Sequence, residues 1–266
     1  MPEGDTVYQA AGRLRRALDG EVLRYSQFRV PALATKDLSG RTIAAVRSRG
    51  KHLLIDIAAT ATQPAVSIHT HLKMEGEWHI HRLGARWRKT AHKARIVLRT
   101  STYEAVGFEL GIVELLTDPD ATLAYLGPDL LGDDWDPVEA TDRITAHPDT
   151  TIGEALLDQR LMAGVGNEYR SEICFLRGVH PATPVADVQV APMVDLSRRL
   201  LWANKDRTVR VTTGNTSTNA RLWVYGRDRK PCRRCRTPIV RTMLGPPDQV
   251  RSIYFCPTCQ PISQTG

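Results

Sequence analysis

Hydrophobic residues recur at helical spacing near the start of the chain. In the segment DTVYQAAGRLRRALDG the apolar positions form one helical face, and Gly20 provides a C-terminal stop. The following region changes to short alternating or apolar runs separated by turn residues, typical of β-strands. These runs are RTIAAVRSRG, KHLLIDIA, AVSIHTHL, GEWHIH, ARIVLRT and GIVELL. The pattern predicts a strand-rich sandwich or flattened barrel preceded by one helix.

The pattern becomes helical in the second half of the chain. A Gly/Pro/Asp-rich stretch, YLGPDLLGDDWDP, indicates a linker near residue 130. Helical spacing then follows in PVEATDRITAH, TIGEALLDQ, NEYRSEICFLRG and APMVDLSRRLLWANK, before a polar run leads to a cysteine-rich tail. We therefore predict an α+β fold with three parts. Residues 1–128 form the sandwich, 129–220 a helical domain and 221–262 a four-cysteine module.

Charge is distributed unevenly along the chain. The net charge is +7, and the part from Arg221 onwards carries nine Lys/Arg and only two Asp/Glu, so the preceding residues balance to zero. Within that balanced part, Trp78 to Tyr103 holds seven Lys/Arg and no acid, whereas Gly111 to Arg160 holds twelve acids and two arginines. A basic face on an otherwise acidic molecule favours a nucleic-acid partner. The alternative is charge that serves solubility, which normally mixes the signs more evenly.

Apolar runs are short throughout the sequence. None approaches the roughly eighteen residues that a membrane-spanning helix needs, and the N-terminal region lacks the apolar core of a signal peptide. We expect a cytoplasmic protein with no membrane partner.

Four of the five cysteines form two close pairs. Cys232 and Cys235 are separated by two residues, as are Cys256 and Cys259, and twenty residues lie between the pairs. This spacing can close a tetrahedral zinc site on two turns, and four thiolates leave no position for a reactive water. The sequence predicts one structural Zn²⁺ and no other cofactor; a redox pair is the alternative. Cys174, in the apolar stretch EICFL, is interpreted as a buried thiol.

A glycine-rich turn separates two predicted helices. Gly164 and Gly166 lie in LMAGVGNEYR, and Asn167 follows as a candidate N-cap of the next helix. Backbone N–H groups at a helix start, beside an asparagine amide, can bind a phosphate oxygen. The alternative is a turn that only joins two core helices.

The chain opens with MPEG, and Pro2 is small enough for the initiator methionine to be removed. An α-amino group has a reference pKa of about 8 and a lysine about 10.4, so a far larger fraction of a terminal amine is neutral at pH 7. A free terminus at Pro2 would be a good amine nucleophile. The alternative is that MPE is simply a permissible start.

Four separated motifs together resemble one known family. The PEG start, the SRGKHLL strand, the turn LLDQxxMAGVGNEYxxEI and the paired cysteines occur in this order in formamidopyrimidine-DNA glycosylases and endonuclease VIII proteins. The resemblance covers residues 2–260. It implies a bacterial base-excision repair enzyme with a helix-two-turn-helix domain and a zinc-ribbon hairpin. Such an enzyme removes oxidised bases from damaged duplex, bubble or single-stranded DNA as a monomer and cuts the abasic strand by β,δ-elimination.

The resemblance also implies roles for particular residues. Pro2 matches the amine that forms a Schiff base with the sugar, and Glu3 the neighbouring proton shuttle. Lys51 matches a catalytic lysine that contacts a phosphate beside the lesion. The remaining matches are to DNA-binding residues: the phosphate contacts His71, Asn167 and Arg251, and the wedge Met74, which fills the space left by a flipped nucleotide.

The sequence departs from the family pattern at several places. Thr6 stands where a glutamate is frequent, so a base-side role for that acid is lost or moved. The arginine and phenylalanine wedge is absent from TYEAVGFELG, and TTGNTSTNAR leaves little room for a long base-capping loop. These differences favour the endonuclease VIII branch and oxidised pyrimidines. Arg236 replaces the usual glycine after Cys235, which questions the local turn geometry.

Three functional hypotheses remain from the residues. The first is the glycosylase and abasic-site lyase. The second is a catalytically idle relative that binds DNA or structured RNA through the helical turn and the zinc ribbon. The third is a metalloenzyme, which is disfavoured because a site with four cysteines is closed.

Overall fold

The computed structural model describes residues 2–247 and 250–262. The helices are α1 (Gly4–Leu18), α2 (Pro119–Thr122), α3 (Pro137–Thr145), α4 (Ile152–Ala155), α5 (Asn167–Arg177) and α6 (Val190–Asn204). The strands of the first half are β1 (Tyr25–Phe28), β2 (Ile43–Arg49), β3 (His52–Ile57), β4 (Val66–His71), β5 (Glu77–Arg82), β6 (Ala94–Arg99), β7 (Tyr103–Phe108) and β8 (Ile112–Leu116). The strands of the cysteine module are β9 (Val240–Leu244) and β10 (Arg251–Phe255). The predicted α+β class is confirmed.

Two compact units make up the chain, the first ending at Tyr125 and the second starting at Leu126. The predicted linker stretch does not form an open connection, because part of it is packed within the second unit. Leu130 is fully buried, and its N–H donates to the carbonyl of Ala163 at 3.1 Å. A Cβ on Gly127 would meet the Leu161 backbone at 2.5 Å. The finer division into three domains stays a prediction.

The first unit contains two antiparallel four-stranded sheets, ordered β1-β6-β7-β5 and β2-β3-β4-β8. Apolar side chains of both sheets and of α1 form one buried core. Helix α1 contributes Val7, Leu14 and Leu18 to this core, as the helical spacing predicts. Arg15 further ties the helix to β2, since its Nε donates to the carbonyl of Val46 at 2.9 Å.

Strands β1 and β7 were not predicted. The central strand β7 contains five consecutive buried residues from Glu104 to Phe108 and therefore lacks the alternation that reveals a half-exposed strand. One side of β7 faces the sandwich core, while Phe108 packs in a separate cluster with Val97 and Trp87 on the other side of the sheet. Because β7 is buried on both faces, its sequence lacks the alternation of apolar and polar residues by which a strand is predicted.

The predicted helix TIGEALLDQ is wrong in length, because α4 covers only Ile152–Ala155. Thr151 and Glu154 form a capping box at its start. Beyond it, the side chain of Gln159 holds a turn: its Nε2 donates to the carbonyl of Val165 at 2.9 Å, and its Oε1 accepts the N–H of Gly164 at 3.0 Å. Gly164 has φ +119°, a conformation that favours glycine. These contacts build the turn that precedes α5.

Glu172 connects α5 to the segment that leads into the cysteine module. Its carboxylate is fully buried and accepts backbone N–H groups from Trp223, Val224 and Tyr225 at 2.8, 2.8 and 2.9 Å. The hydroxyl of Thr212 donates to the same carboxylate. Buried backbone N–H groups need acceptors, so one side chain fixes the path of three consecutive residues.

We expect Glu172→Gln to lower the free energy of unfolding by about 2–3 kcal/mol, because an amide offers one acceptor oxygen and leaves buried N–H groups unpaired. Urea unfolding measures the change. The matched control is Glu139→Gln, since Glu139 makes an exposed pair with Arg143 and should shift stability by less than about 1 kcal/mol. Equal effects of the two substitutions would contradict this role of Glu172.

Candidate functional site

The N-terminal end of α1 carries buried acids. Glu3 is fully buried at the N-cap position, its carbonyl accepts the N–H of Val7 at 3.1 Å, and Pro2 beside it is partly exposed. Asp5 is also buried, and its Oδ1 accepts the N–H of Thr6 at 2.7 Å. Negative groups are favoured at this end of a helix by its dipole. Sequence reasoning missed Asp5; its place in the first turn, two residues after Glu3, was the available signal.

Lys51 and His71 lie at the same end of the β2-β3-β4-β8 sheet. Lys51 is in the turn between β2 and β3, after Gly50, which has φ +54°. The next residue, His52, pairs in register with His71 at the end of β4. Two of the predicted phosphate contacts are thus brought together by antiparallel pairing.

The imidazole of His71 has a defined hydrogen-bonding pattern. Its Nδ1 accepts the backbone N–H of Lys73 at 2.9 Å, so in the neutral ring the proton is on Nε2. Burial, and then the positive charges of Lys73 and Lys51, lower the pKa of His71 to about 4. His71 is consequently a neutral donor through Nε2 at physiological pH.

Met74 is presented on a tight turn after β4. The N–H of Gly76 donates to the carbonyl of Leu72 at 2.9 Å, and a Cβ on Gly76 would meet that oxygen at 2.4 Å. Lys73 has φ +53° within the turn. Met74 is 62% exposed, so it is not a core residue. An exposed methionine on a constrained turn suits a wedge.

Asn167 is the first residue of α5, and the N-cap is Gly166. The predicted N-cap position is therefore wrong by one residue. The Asn167 side chain is 5% exposed, and its Nδ2 donates to the carbonyl of Ser252 in β10 at 2.7 Å. Among the described residues its buried Oδ1 has no hydrogen-bond partner. The amide therefore holds β10, and its predicted phosphate contact stays a prediction.

Arg170 gives β10 a second support from α5. Its guanidinium is fully buried and donates to the carbonyls of Gly153 at 3.3 Å and Arg251 at 3.4 Å. The side chain of Arg251 is exposed at the start of β10. Asn167 and Arg170 thus fix the backbone from which Arg251 projects. Sequence reasoning missed Arg170, because its partners are far away along the chain.

The four predicted metal ligands converge. Their Sγ atoms all lie within 4.8 Å of one another, with Cys235 and Cys256 at 3.4 Å and Cys232 and Cys259 at 3.9 Å. Ligands at about 2.3 Å from a tetrahedral zinc lie about 3.8 Å apart, so these cysteines fit a metal ion. Burial and the neighbouring thiols raise the pKa of Cys259. A divalent cation can take the place of the protons and hold the sulfurs together.

Both cysteine turns are held by the backbone. The N–H of Arg236 donates to the carbonyl of Cys232 at 3.1 Å, and that of Gln260 to the carbonyl of Cys256 at 2.9 Å. Arg236 has φ +69°, a left-handed conformation that costs a non-glycine residue about 1–2 kcal/mol. The glycine-type turn is therefore kept although arginine replaces glycine. Cys174 lies outside the cluster, and burial raises the pKa of its thiol to about 12.

The basic region between Trp78 and Tyr103 is partly neutralised by acids from outside it. Lys89 pairs with Glu77 and Glu109, and Lys93 pairs with Glu109 at 2.8 Å. These hydrogen bonds lower the pKa of Glu109 to about 2. The arginines that remain exposed in this region are Arg82, Arg86, Arg88 and Arg95. The sequence count alone overstated the basic surface.

No helix within residues 2–247 and 250–262 is long and apolar enough to cross a membrane.

Comparisons with known proteins agree along the whole chain. The formamidopyrimidine-DNA glycosylase N-terminal domain matches residues 1–110, and the H2TH domain of the same glycosylases matches residues 126–204. The chain is 47% identical to the probable endonuclease 8 2 of Streptomyces coelicolor, with 98% of this chain and 94% of the relative covered. The chain belongs to the formamidopyrimidine-DNA glycosylase and endonuclease 8 family.

A second relative agrees with the predicted branch of this family. The DNA-(apurinic or apyrimidinic site) lyase Nei2 of Mycolicibacterium smegmatis is 48% identical, with 99% of this chain and 100% of the relative covered. Among solved structures, the formamidopyrimidine-DNA glycosylase of Lactococcus lactis bound to DNA with an abasic site has a TM-score of 0.79. That match covers 98% of this chain and 100% of the other at 21% identity, and it shows a shared fold. The predicted endonuclease VIII-like branch is confirmed.

Proposed function

We propose that this family member removes oxidised bases, pyrimidines preferentially, from damaged DNA and cuts the abasic strand by β,δ-elimination. The observation that carries the proposal is the 48% identity, across the whole chain, to a protein named as an abasic-site lyase. The preference for pyrimidines rests on the missing arginine and phenylalanine wedge and on the short segment before WVYGR.

Pro2 supplies the nucleophile once Met1 has been removed. Its secondary amine attacks C1′ of the damaged nucleotide, a bond from nitrogen to C1′ forms, and the bond from C1′ to the base breaks. Opening of the sugar ring at O4′ gives an iminium, which acidifies the C2′ proton. Loss of that proton expels the 3′ phosphate, and a second elimination expels the 5′ phosphate.

Glu3 is the group that transfers protons to and from the sugar and the base. Its burial directly beside Pro2 supports this role, because a buried carboxyl next to a reacting amine is shielded from competing water. Thr6, which replaces a frequent family glutamate, instead donates its N–H to the buried Asp5.

Lys51, His71, Asn167 and Arg251 bind the DNA backbone around the lesion. The pairing of His52 with His71 supports a shared phosphate site for Lys51 and the Nε2–H of His71. The exposed Met74 inserts into the stack when the damaged nucleotide leaves it.

The protein binds one structural Zn²⁺ through four cysteines, Cys232, Cys235, Cys256 and Cys259. The metal supplies structural stability to the hairpin of β9 and β10 and, with four thiolates, no site for catalysis. The hairpin in turn presents Arg251 to DNA.

Trapping with borohydride tests the nucleophile. Wild-type protein should form a covalent adduct with DNA that contains an abasic site or thymine glycol. Pro2→Glu, whose larger side chain keeps Met1 in place, should form none, because it lacks the secondary amine and the nitrogen of residue 2 stays in a peptide bond. The adduct is measured on denaturing gels and located by mass spectrometry of the modified peptide.

Lys51→Arg is the control for this experiment. It removes the amine of the lysine that is predicted to contact a phosphate beside the lesion while it keeps the positive charge, so adduct formation should persist. An adduct on Lys51, or one retained in Pro2→Glu, would refute the role of Pro2. Strong binding of damaged DNA without any trapped species would favour the catalytically idle relative.

Salt dependence tests the number of phosphate contacts. If about five to seven phosphates are neutralised, the logarithm of affinity should fall with the logarithm of salt concentration at a slope of about −5 to −6. Fluorescence anisotropy with DNA that contains a tetrahydrofuran abasic analogue measures the slope. A flat dependence would contradict the proposed contacts.

Metal removal tests the role of the cysteines. Purified protein should contain one zinc per chain, and a strong chelator should unfold the hairpin and weaken DNA binding while the β-sandwich remains folded. Metal analysis, DNA binding and limited proteolysis follow these changes. Cys174→Ala should keep the zinc, whereas Cys256→Ala should lose it. Collapse of the whole protein on chelation would contradict an independently stable sandwich.

A further inference from the structure

A line of hydrogen bonds crosses the outer face of the β2-β3-β4-β8 sheet. Glu114 Oε1 lies 2.6 Å from His69 Nδ1, and His69 Nε2 lies 2.7 Å from His52 Nδ1. His52 Nε2 lies 3.2 Å from the hydroxyl of Tyr125. The four residues come from β8, β4, β3 and the segment after α2. We call them the imidazole chain.

The imidazole chain lies opposite the sandwich core. Leu53, Ile55 and Ile68 point into that core, and side chains alternate along a strand, so His52 and His69 point the other way. Both imidazoles are nevertheless buried, at 8% and 3% exposure. Buried imidazole nitrogens need partners, and the imidazole chain provides them.

The carboxylate of Glu114, at one end of the imidazole chain, determines which atom donates in each hydrogen bond. A carboxylate can only accept, so His69 donates from Nδ1 to Glu114. With Nδ1 of His69 as its donor to Glu114, Nε2 of His69 accepts from Nδ1 of His52 at 2.7 Å. The Nε2 of His52 accepts in turn from the hydroxyl of Tyr125. This assignment places a proton on Nδ1 of both rings.

Two further observations support this assignment. Burial, followed by the positive charges of Lys73 and Lys51, lowers the pKa of His52 to about 3, so this ring is uncharged at physiological pH. A shared metal ion would require the two imidazole nitrogens to be about 3.3 Å apart, at about 2.0–2.1 Å from a tetrahedral zinc. The observed distance of 2.7 Å instead requires a proton between them.

The ring of His52 contacts His71 and restricts the orientation of its imidazole. The rings of His52 and His69 are joined edge to edge by their hydrogen bond, with centroids 4.9 Å apart, and the ring of His52 meets the ring of His71 edge-on at 5.0 Å. His71 is held on its other side by the N–H of Lys73. Lys51 directly precedes His52. A rotation of the His52 ring would therefore displace the imidazole of His71. It would also disturb the turn between β2 and β3 that carries Lys51.

We propose that Glu114, His69, His52 and Tyr125 are positioning residues that hold His71 and Lys51 in the geometry that binds the DNA backbone. This inference rests on the proposed function for the identity of the ligand. The imidazole chain touches no reacting atom, so it acts on binding and leaves the chemical steps unchanged.

The first experiment determines the tautomers directly. Long-range nitrogen–proton correlation spectra of the ¹⁵N-histidine-labelled protein at pH 7 should show His69 and His52 protonated at Nδ1 and His71 protonated at Nε2. In Glu114→Gln the amide can both donate and accept, so His69 should show a measurable fraction protonated at Nε2. His52 protonated at Nε2 in the wild type would overturn the proposal.

The second experiment measures DNA binding. His69→Leu removes both hydrogen bonds of the central ring, and its dissociation constant for DNA with a tetrahydrofuran abasic analogue should rise about tenfold, the equivalent of one hydrogen bond to a charged group. The rate of borohydride trapping at saturating abasic-site DNA should stay within about twofold of wild type, since the nucleophile is untouched. An unchanged affinity, or an equal loss in trapping rate, would overturn the positioning role.

Ser67→Ala is the matched control. Ser67 lies on the same strand and face as His69 and donates to Asp56, outside the imidazole chain. Its loss should leave DNA affinity within about twofold. A comparable loss of affinity in this variant would show a general effect of the sheet and overturn the proposal. Tyr125→Phe, which removes only the last hydrogen bond, provides a mild variant if His69→Leu fails to fold.

The two proposals can fail separately. Absence of base release and of any trapped adduct in the wild type would refute the proposed function, whereas the tautomers would still be decided by the spectra. Wild-type activity with different tautomers would refute only the role of the imidazole chain.

Discussion

Glu172 is fully buried in α5, and its carboxylate is accommodated there because three consecutive backbone N–H groups donate to it. The position of the cysteine module on the helical domain depends on this interaction. Arg170 and Asn167, on the same helix, bind carbonyls of β10. One helix thus uses three buried polar side chains to fix the strand that carries Arg251. Apolar packing has no direction, whereas these hydrogen bonds define a register.

In the first unit, burial and hydrogen bonding likewise fix a polar side chain at the end of a sheet. His71 is neutral and oriented because burial opposes its charge and the N–H of Lys73 occupies its Nδ1. Gly76 allows the tight turn that exposes Met74. His71 and Met74, which are proposed to contact DNA, are therefore mounted on rigid backbone, so that the entropy cost of ordering them falls on folding rather than on binding.

The cysteine module has little apolar core of its own. Its buried cluster combines Val224 and Ile239 with Cys232, Cys256 and Phe175 of α5. A module of this size needs a metal or an adjoining domain for stability. Here the adjoining domain contributes, because Gln260 joins the second cysteine turn to the C-terminal end of α5 through the carbonyl of Val179, and the four cysteines fit a metal ion. The left-handed Arg236 shows that these supports tolerate an unfavourable local conformation.

Local periodicity by itself determined α1, α5, α6 and most strands, and the spacing within each cysteine pair indicated residues that could hold a metal ion, because each of these signals lies within a few neighbouring residues. Four motifs together identified the family: the PEG start, the SRGKHLL strand, the glycine turn and the paired cysteines. Only the tertiary structure decided that β7 is buried on both faces, that α4 is short and that Asn167 binds β10. It also decided the imidazole chain, whose members come from separate strands. Hydrogen bonds between residues far apart in the chain depend on strand register and burial, which no local pattern specifies.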